Sequence, residues 1–195
     1  MSAIDVAGSI ALGIALAAAA GFRVFLPLLI TSVAAYTGHL QLSESFAWLG
    51  SVPAMATLAV ATIAEILAYY IPVVDNLLDT LTTPAALVAG TLLSAAVMTD
   101  LPPIVKWSAA VIAGGGAAGI TQSVTAMLRA KSTAFTGGIG NPVVATAETG
   151  SALVVSGLAI LAPLVAIAAV VLLFWFGART LRRVLNRPRT RPDTD

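Results

Sequence analysis

From Ile4 to Tyr36 the only charged residues are Asp5 and Arg23, in a run about twice as long as one membrane crossing needs. A spanning helix takes roughly 20 apolar residues, so this block must be a hairpin or a broken helix. The natural break is Gly21-Phe22-Arg23, with Pro27 a turn later. Two more long apolar blocks follow. Ile104 to Met127 is interrupted by Gly114–Gly116 and Gly119, and Pro142 to Leu181 divides near Pro163. Between the first block and these, Pro53 to Tyr70 reads as one apolar helix with aromatic anchors, Trp48 before it and Tyr69-Tyr70 at its end. Pro84 to Met98 is a shorter apolar piece, extended if Thr82 and Thr83 join it. Hydrophobic residues make up 58%, charged residues 10%, and the mean hydropathy is +0.97, well outside the range of soluble domains. The expectation is an all-α polytopic membrane protein.

Residues 71–81 break the apolar pattern. Ile71, Val74, Leu77, Leu78 and Leu81 fall on one helical face, and Asp75 and Asp79 lie four apart on another. This predicts a short amphipathic helix in the interface, with the two acids as a hydrated face or a secondary cation site. The N-terminal run imitates a signal peptide but carries Asp5 in place of a basic region, so it is expected to be retained.

The stretch Ser132 to Gly150, STAFTGGIGNPVVATAETG, is the longest that is neither uniformly apolar nor a polar tail. Gly137, Gly138 and Gly140 allow a sharp turn. Asn141-Pro142 then reads as a helix start, with Asn as N-cap. Thr136, these three glycines and Asn141 form either a turn or a backbone-lined site at a helix N-terminus, where anions are attracted. Glu148 follows two turns later. Glu65 lies about 18 Å into its own helix, deep enough that its carboxylate must be protonated, paired or wet. Arg23 either snorkels to headgroups or needs an acidic partner. These residues, Glu65, Glu148 and Arg23 first, are the candidate ion- or substrate-binding set. His39 is a lone loop histidine.

The chain repeats itself weakly. Residues 21–38 answer 119–137, with Ala-Tyr-Thr-Gly matching Ala-Phe-Thr-Gly. Residues 61–65 answer 145–148, and the Pro84 helix answers the Pro163 helix. The expected organisation is six to eight membrane segments in two related halves, 1–99 and 100–184, with a disordered basic tail at 185–195. The segments AAGFRVFLPLL, AEILAYYIPVVDNLLDTL and above all STAFTGGIGNPVVATAE resemble a bacterial family catalogued as "domain of unknown function 4126", from about Gly13 to Ala166. The resemblance implies an integral membrane protein without an established activity. It carries over Gly21, Arg23, Pro27, Glu65, Pro72, Asp75, Gly137, Gly138, Gly140, Asn141, Pro142 and Glu148. The chain departs from the family pattern at Tyr69-Tyr70, where an Asp-Lys pair is expected, and at Thr149, where a second acid often follows the Glu.

Six of the ten basic residues lie in the last 17 positions, which puts the C-terminus in the cytoplasm, with Arg129 and Lys131 on the same side. If each broken block is a hairpin, the halves run parallel; if each is one kinked crossing, they are inverted. Hairpins fit better, because the pieces flanking Gly21 are each about 16 residues, long for halves of one span. A net charge of +1 suggests no nucleic-acid partner. The absence of Cys excludes thiolate chemistry, and neither a His-Glu metal spacing nor a Ser/His/Asp set is present, so an enzyme and a cofactor are not expected, and the sequence leaves a metal ligand set undefined. The leading reading is a small transporter or channel of the bacterial inner membrane, proton- or cation-coupled, for a small ion or solute. The runner-up is a membrane scaffold or lipid-binding protein whose arginine tail meets anionic lipids. Membrane lipids are partners on either reading, and self-association into a homo-oligomer is compatible with both.

Overall fold

The computed structural model describes residues 3–99 and 101–185, and every described regular element is helical. Helix α1 (Ala3–Ala20) and α2 (Phe25–Tyr36) are separated at Gly21–Val24, where the sequence predicts the first block to break. A 3-10 turn, Glu44–Gly50, leads into α3 (Val52–Ala68), and α4 covers Pro72–Val97. The chain then forms α5 (Pro103–Ala109), a π-helical turn (Ala110–Gly115), α6 (Gly116–Thr136), α7 (Asn141–Leu161) and α8 (Pro163–Leu185). The division of the last block at Pro163 falls where expected.

Helix α1 is the centre of the bundle. Ala15, Leu16 and Ala17–Ala20 are at most 1% exposed, and the helix packs against α4, α6, α7 and α8. Its alanines let neighbouring backbones come close, the packing that membrane bundles rely on where apolar burial gives no advantage over lipid. Helix α2 packs chiefly against α3 and α7. Both halves of the broken block share α7 as a neighbour; beyond it, α1 packs on α4, α6 and α8, and α2 chiefly on α3.

Two expectations are corrected. The block from Ile104 is not broken: Pro103–Thr136 is one continuous helix, and its glycine run ends the π-helical turn and opens α6. The reason is packing. A β-carbon at Gly114 would lie 2.7 Å from Ser94 Cβ and 2.9 Å from the Gly90 carbonyl oxygen. The glycines thus bring this helix onto α4 without ending it. Residues 71–81 are likewise not a separate interfacial helix but the first turns of α4, which continues through Pro84. Proline removes one ladder bond, and apolar helices tolerate this where local adjustment and neighbours satisfy the freed carbonyl. The polar loop expected around Ser43–Ser45 becomes the start of the 3-10 turn, with Ser43 donating its backbone N–H to the Ala96 carbonyl at 2.8 Å.

Among the described residues, three helices are long and apolar enough to cross a membrane: Thr80–Val97, Pro103–Thr136 and Asn141–Leu161. The bent pair Glu44–Gly50 and Val52–Ala68, at 67°, adds a fourth if it is one span. Asp5–Ala20, Phe25–Tyr36 and Pro163–Leu172 are shorter apolar helices. The side chains of Asp75 and Asp79 and the tail from 186 onward lie outside the described residues.

Candidate functional site

Four ionisable side chains, balanced in sign, are buried where the α1–α2 break meets α3, α6 and α7. Arg23, Glu65, Arg129 and Glu148 are 1%, 7%, 3% and 4% exposed. Glu148 is the hub. Arg129 pairs with it through two bonds, Nε to Oε1 at 3.0 Å and Nη2 to Oε2. Arg23 Nη2 lies 3.7 Å from the same Oε2. Arg23 is held in place by α7 itself: Nη2 donates to the Ala145 carbonyl at 2.8 Å and Nε to Thr149 Oγ1 at 3.0 Å. Its Nη1 is buried without a hydrogen-bond partner among the described residues.

Glu65 has a different task. Its Oε1 accepts from the Val24 amide at 2.8 Å and its Oε2 from the Phe25 amide at 3.0 Å. It therefore caps the N-terminus of α2 from a neighbouring helix. The first amides of a helix have no internal acceptor and carry partial positive charge, so a carboxylate there satisfies both needs. The α1–α2 break gives Glu65 this target, and Glu65 in turn terminates α2.

Tyr69 connects the two arginines. The guanidinium carbons of Arg23 and Arg129 lie 4.0 and 3.8 Å from its ring centroid. Its hydroxyl donates to Thr82 Oγ1 at 3.1 Å, which also accepts from Gln122 Nε2 at 3.1 Å. The aromatic face takes up cation charge that a single Glu148 cannot share fully between two arginines. Tyr69 is therefore not the interfacial anchor its sequence position suggests: it is 3% exposed. Tyr70 does sit outside, 45% exposed, with its hydroxyl 2.8 Å from Thr146 Oγ1.

The glycine-rich turn lies apart from these charges, beyond the first turns of α7. Gly137 and Gly138 have φ of 62° and 90°, the left-handed region that glycine enters without a β-carbon clash. Helix α7 starts at Asn141 itself, with Gly140 in the capping position and Pro142 following. Asn141 is thus not the N-cap; its Nδ2 instead donates back to Thr133 Oγ1 of α6 at 3.0 Å. The amides of Gly137 and Ile139 donate to carbonyls at the end of α6, those of Asn141, Val143 and Val144 to carbonyls of the turn, and that of Gly140 to Thr136 Oγ1 at 2.9 Å. These donors close the turn on itself rather than converge on a ligand.

Arg23, Glu65 and Glu148 thus come together, while Thr136, Gly137, Gly138 and Gly140 form the neighbouring turn and Asn141 bridges it to α6. Arg129, Tyr69 and Thr149 complete the cluster and were not among the expected site residues. Arg129 reads in sequence as a loop charge beside Lys131, yet it lies inside α6, so it has no vote in the loop-charge argument for orientation. The available signal was its spacing: Thr121, Gln122, Thr125 and Arg129 form one buried polar stripe along α6. His39 is exposed beside Thr37, with its Nδ1 2.9 Å from Thr37 Oγ1. Among the described residues no group of three His, Cys, Asp or Glu could hold a metal ion.

No curated protein and no solved structure matches this chain. A family model does, over residues 10–183, which takes in every member of the buried cluster. By that match the chain belongs to the family described as Domain of unknown function (DUF4126).

Proposed function

We propose that this protein is a small membrane transporter or channel of the bacterial inner membrane, with the C-terminus cytoplasmic, moving a small ion or solute in a proton- or cation-coupled way. The observation that carries the reading is the sign-balanced set Arg23, Glu65, Arg129 and Glu148, buried at a helix break. Ionisable groups inside a membrane protein are expensive and concentrate on ion and proton paths. One strap between α6 and α7 needs one pair, and Arg129–Glu148 already provides it. Arg23 and Glu65 add two further charges at the point where the α1–α2 segment is discontinuous, the arrangement that transporters use at their binding sites. The Arg23 Nη1 donor, without an acceptor among the described residues, marks a polar position that a water or a solute can fill.

The two-halves reading is supported by the turns. Gly38 and Gly137, which end the matching Tyr-Thr-Gly and Phe-Thr-Gly segments, both have positive φ, 76° and 62°. The charges also pair across the proposed halves, Arg23 from the first with Glu148 from the second. In that organisation six to eight membrane segments include the short apolar helices beside the full-length spans.

The test is proton flux in proteoliposomes loaded with pyranine, driven by a potassium gradient and valinomycin. The intact protein should acidify or alkalinise the lumen with the sign of the imposed potential. Glu65→Gln, checked for folding by gel filtration and circular dichroism, should abolish this. Intact protein that passes no protons above empty vesicles would overturn the proton-coupled reading and favour the scaffold.

A further inference from the structure

Helices α3 and α4 are joined by Tyr69–Ile71 alone, yet they touch little along their length. The gap between them is a cavity of about 510 Å³, lined by residues of α3, α4 and the start of α2, Ala64, Ala68, Leu81 and Phe25 among them. Its volume is that of a typical small-molecule site. Among the described residues its walls are apolar apart from Glu65 and Thr82. Phe25 and Leu81 at its margin are 37% and 59% exposed, so in a membrane this cavity opens toward acyl chains rather than toward water.

A carboxylate offers about four acceptor positions. Among the described residues Glu65 uses two of them, both on the Val24 and Phe25 amides, and its remaining face belongs to the cavity lining. A carboxylate beside an apolar cavity calls for a hydrogen-bond donor. Charge decides which kind. Two arginines and two glutamates already balance within the cluster, so an ammonium group would leave a net positive charge in the membrane and a carboxylate a net negative one. An uncharged hydroxyl satisfies Glu65 without disturbing the balance.

We infer that the α3–α4 cavity is a binding site for a membrane lipid with an uncharged, hydroxyl-bearing head, the hydroxyl donating to Glu65 and the apolar body lying against Ala64, Ala68 and Leu81. The inference stands independently of whether the cluster conducts, because binding is read without flux. The probe is a photoactivatable hexadecanol, added to the full-length protein in nanodiscs and compared with its methyl ether and with the corresponding hexadecylamine. Crosslinked peptides are mapped by mass spectrometry. The alcohol should label residues 61–68 and 78–85 about tenfold more than the ether, the difference expected for one hydrogen bond to a charged acceptor. Ala64→Trp, which fills the cavity and leaves the carboxylate in place, should remove that labelling. Preference for the amine would overturn the neutral-head assignment. Labelling that ignores Ala64→Trp, or that spreads equally over α8, would mean that only annular lipid is being read and that the cavity has no occupant of its own.

Discussion

Arg129 and Glu148 face each other from consecutive helices, nineteen positions apart, and form a two-bond ion pair that is almost fully withdrawn from solvent. Removing one member of such a pair strands the other charge, at about 3–5 kcal/mol. Glu148→Gln would leave both Arg23 and Arg129 against a neutral amide. Its melting temperature in detergent should fall by about 10 °C. Arg129→Met combined with Glu148→Met should lose clearly less than the two single changes summed, because the stranded Arg129 charge is gone and only Arg23 still misses the carboxylate. Strict additivity would mean that the pair is uncoupled.

Glu65→Gln tests the cap on α2. Glutamine keeps one acceptor oxygen but turns the other position into an NH₂ group that meets a backbone N–H. One of the two amide bonds is lost, at about 1.5–3 kcal/mol for a charged acceptor. The melting temperature should drop by about 5 °C, with proton flux abolished in the folded fraction. A variant as stable as the parent would show that the amides of Val24 and Phe25 have another acceptor.

The α6–α7 turn can be probed with a compensating pair. A β-carbon at Gly140 would lie 2.6 Å from Ser132 Oγ. Gly140→Ala should therefore destabilise, and adding Ser132→Ala should restore part of the loss by removing that oxygen. Gly138→Val should not be rescued, since its φ of 90° is closed to a β-branched residue. Rescue of Gly138→Val by the same serine change would place the fault in crowding rather than in backbone strain.

Gly114→Ala should also destabilise, by about 1–3 kcal/mol, because its β-carbon meets Ser94 and the Gly90 carbonyl. Helix α4 or the π-helical turn must move to admit it. Thermal denaturation beside Gly116→Ala, whose β-carbon meets nothing within 4 Å, separates this contact from a general loss of glycine.

Orientation is checked with a single cysteine, available because the chain has none of its own. Thr194→Cys should react with a membrane-impermeant maleimide only in inside-out vesicles. Reaction in intact spheroplasts would reverse every side assignment.

The parts of this architecture that could be read from the sequence are those where one residue type decides the outcome. Gly21 with Arg23 marked the α1–α2 break, Pro163 marked α8, and acids in apolar runs marked Glu65 and Glu148. Tertiary contacts decided the rest. Pro84 and the Gly114–Gly116 run read as interruptions because local propensity disfavours them, but α4 continues past Pro84, and the close approach of Gly114 to Ser94 and Gly90 holds the second helix together. Arg129 and Tyr69 lay at the ends of apolar runs, where charged and aromatic residues ordinarily meet headgroups. Their burial depends on each other and on Glu148, so no single stretch of sequence announces it.

The placement of Arg23 bears on how the chain enters the membrane. Arg129 and Glu148 belong to adjoining helices and can neutralise each other as one inserted hairpin. The Arg23 contact to the Ala145 carbonyl spans 122 positions. At ordinary rates of synthesis that carbonyl follows the arginine by about 10 s. During that interval the N-terminal helices hold a guanidinium group that α7 has not yet reached, with Tyr69 and Glu65 as the nearest groups able to receive it. Biogenesis therefore passes through a half-made membrane protein with a charge awaiting its counterpart, and the arrival of α7 seals the bundle.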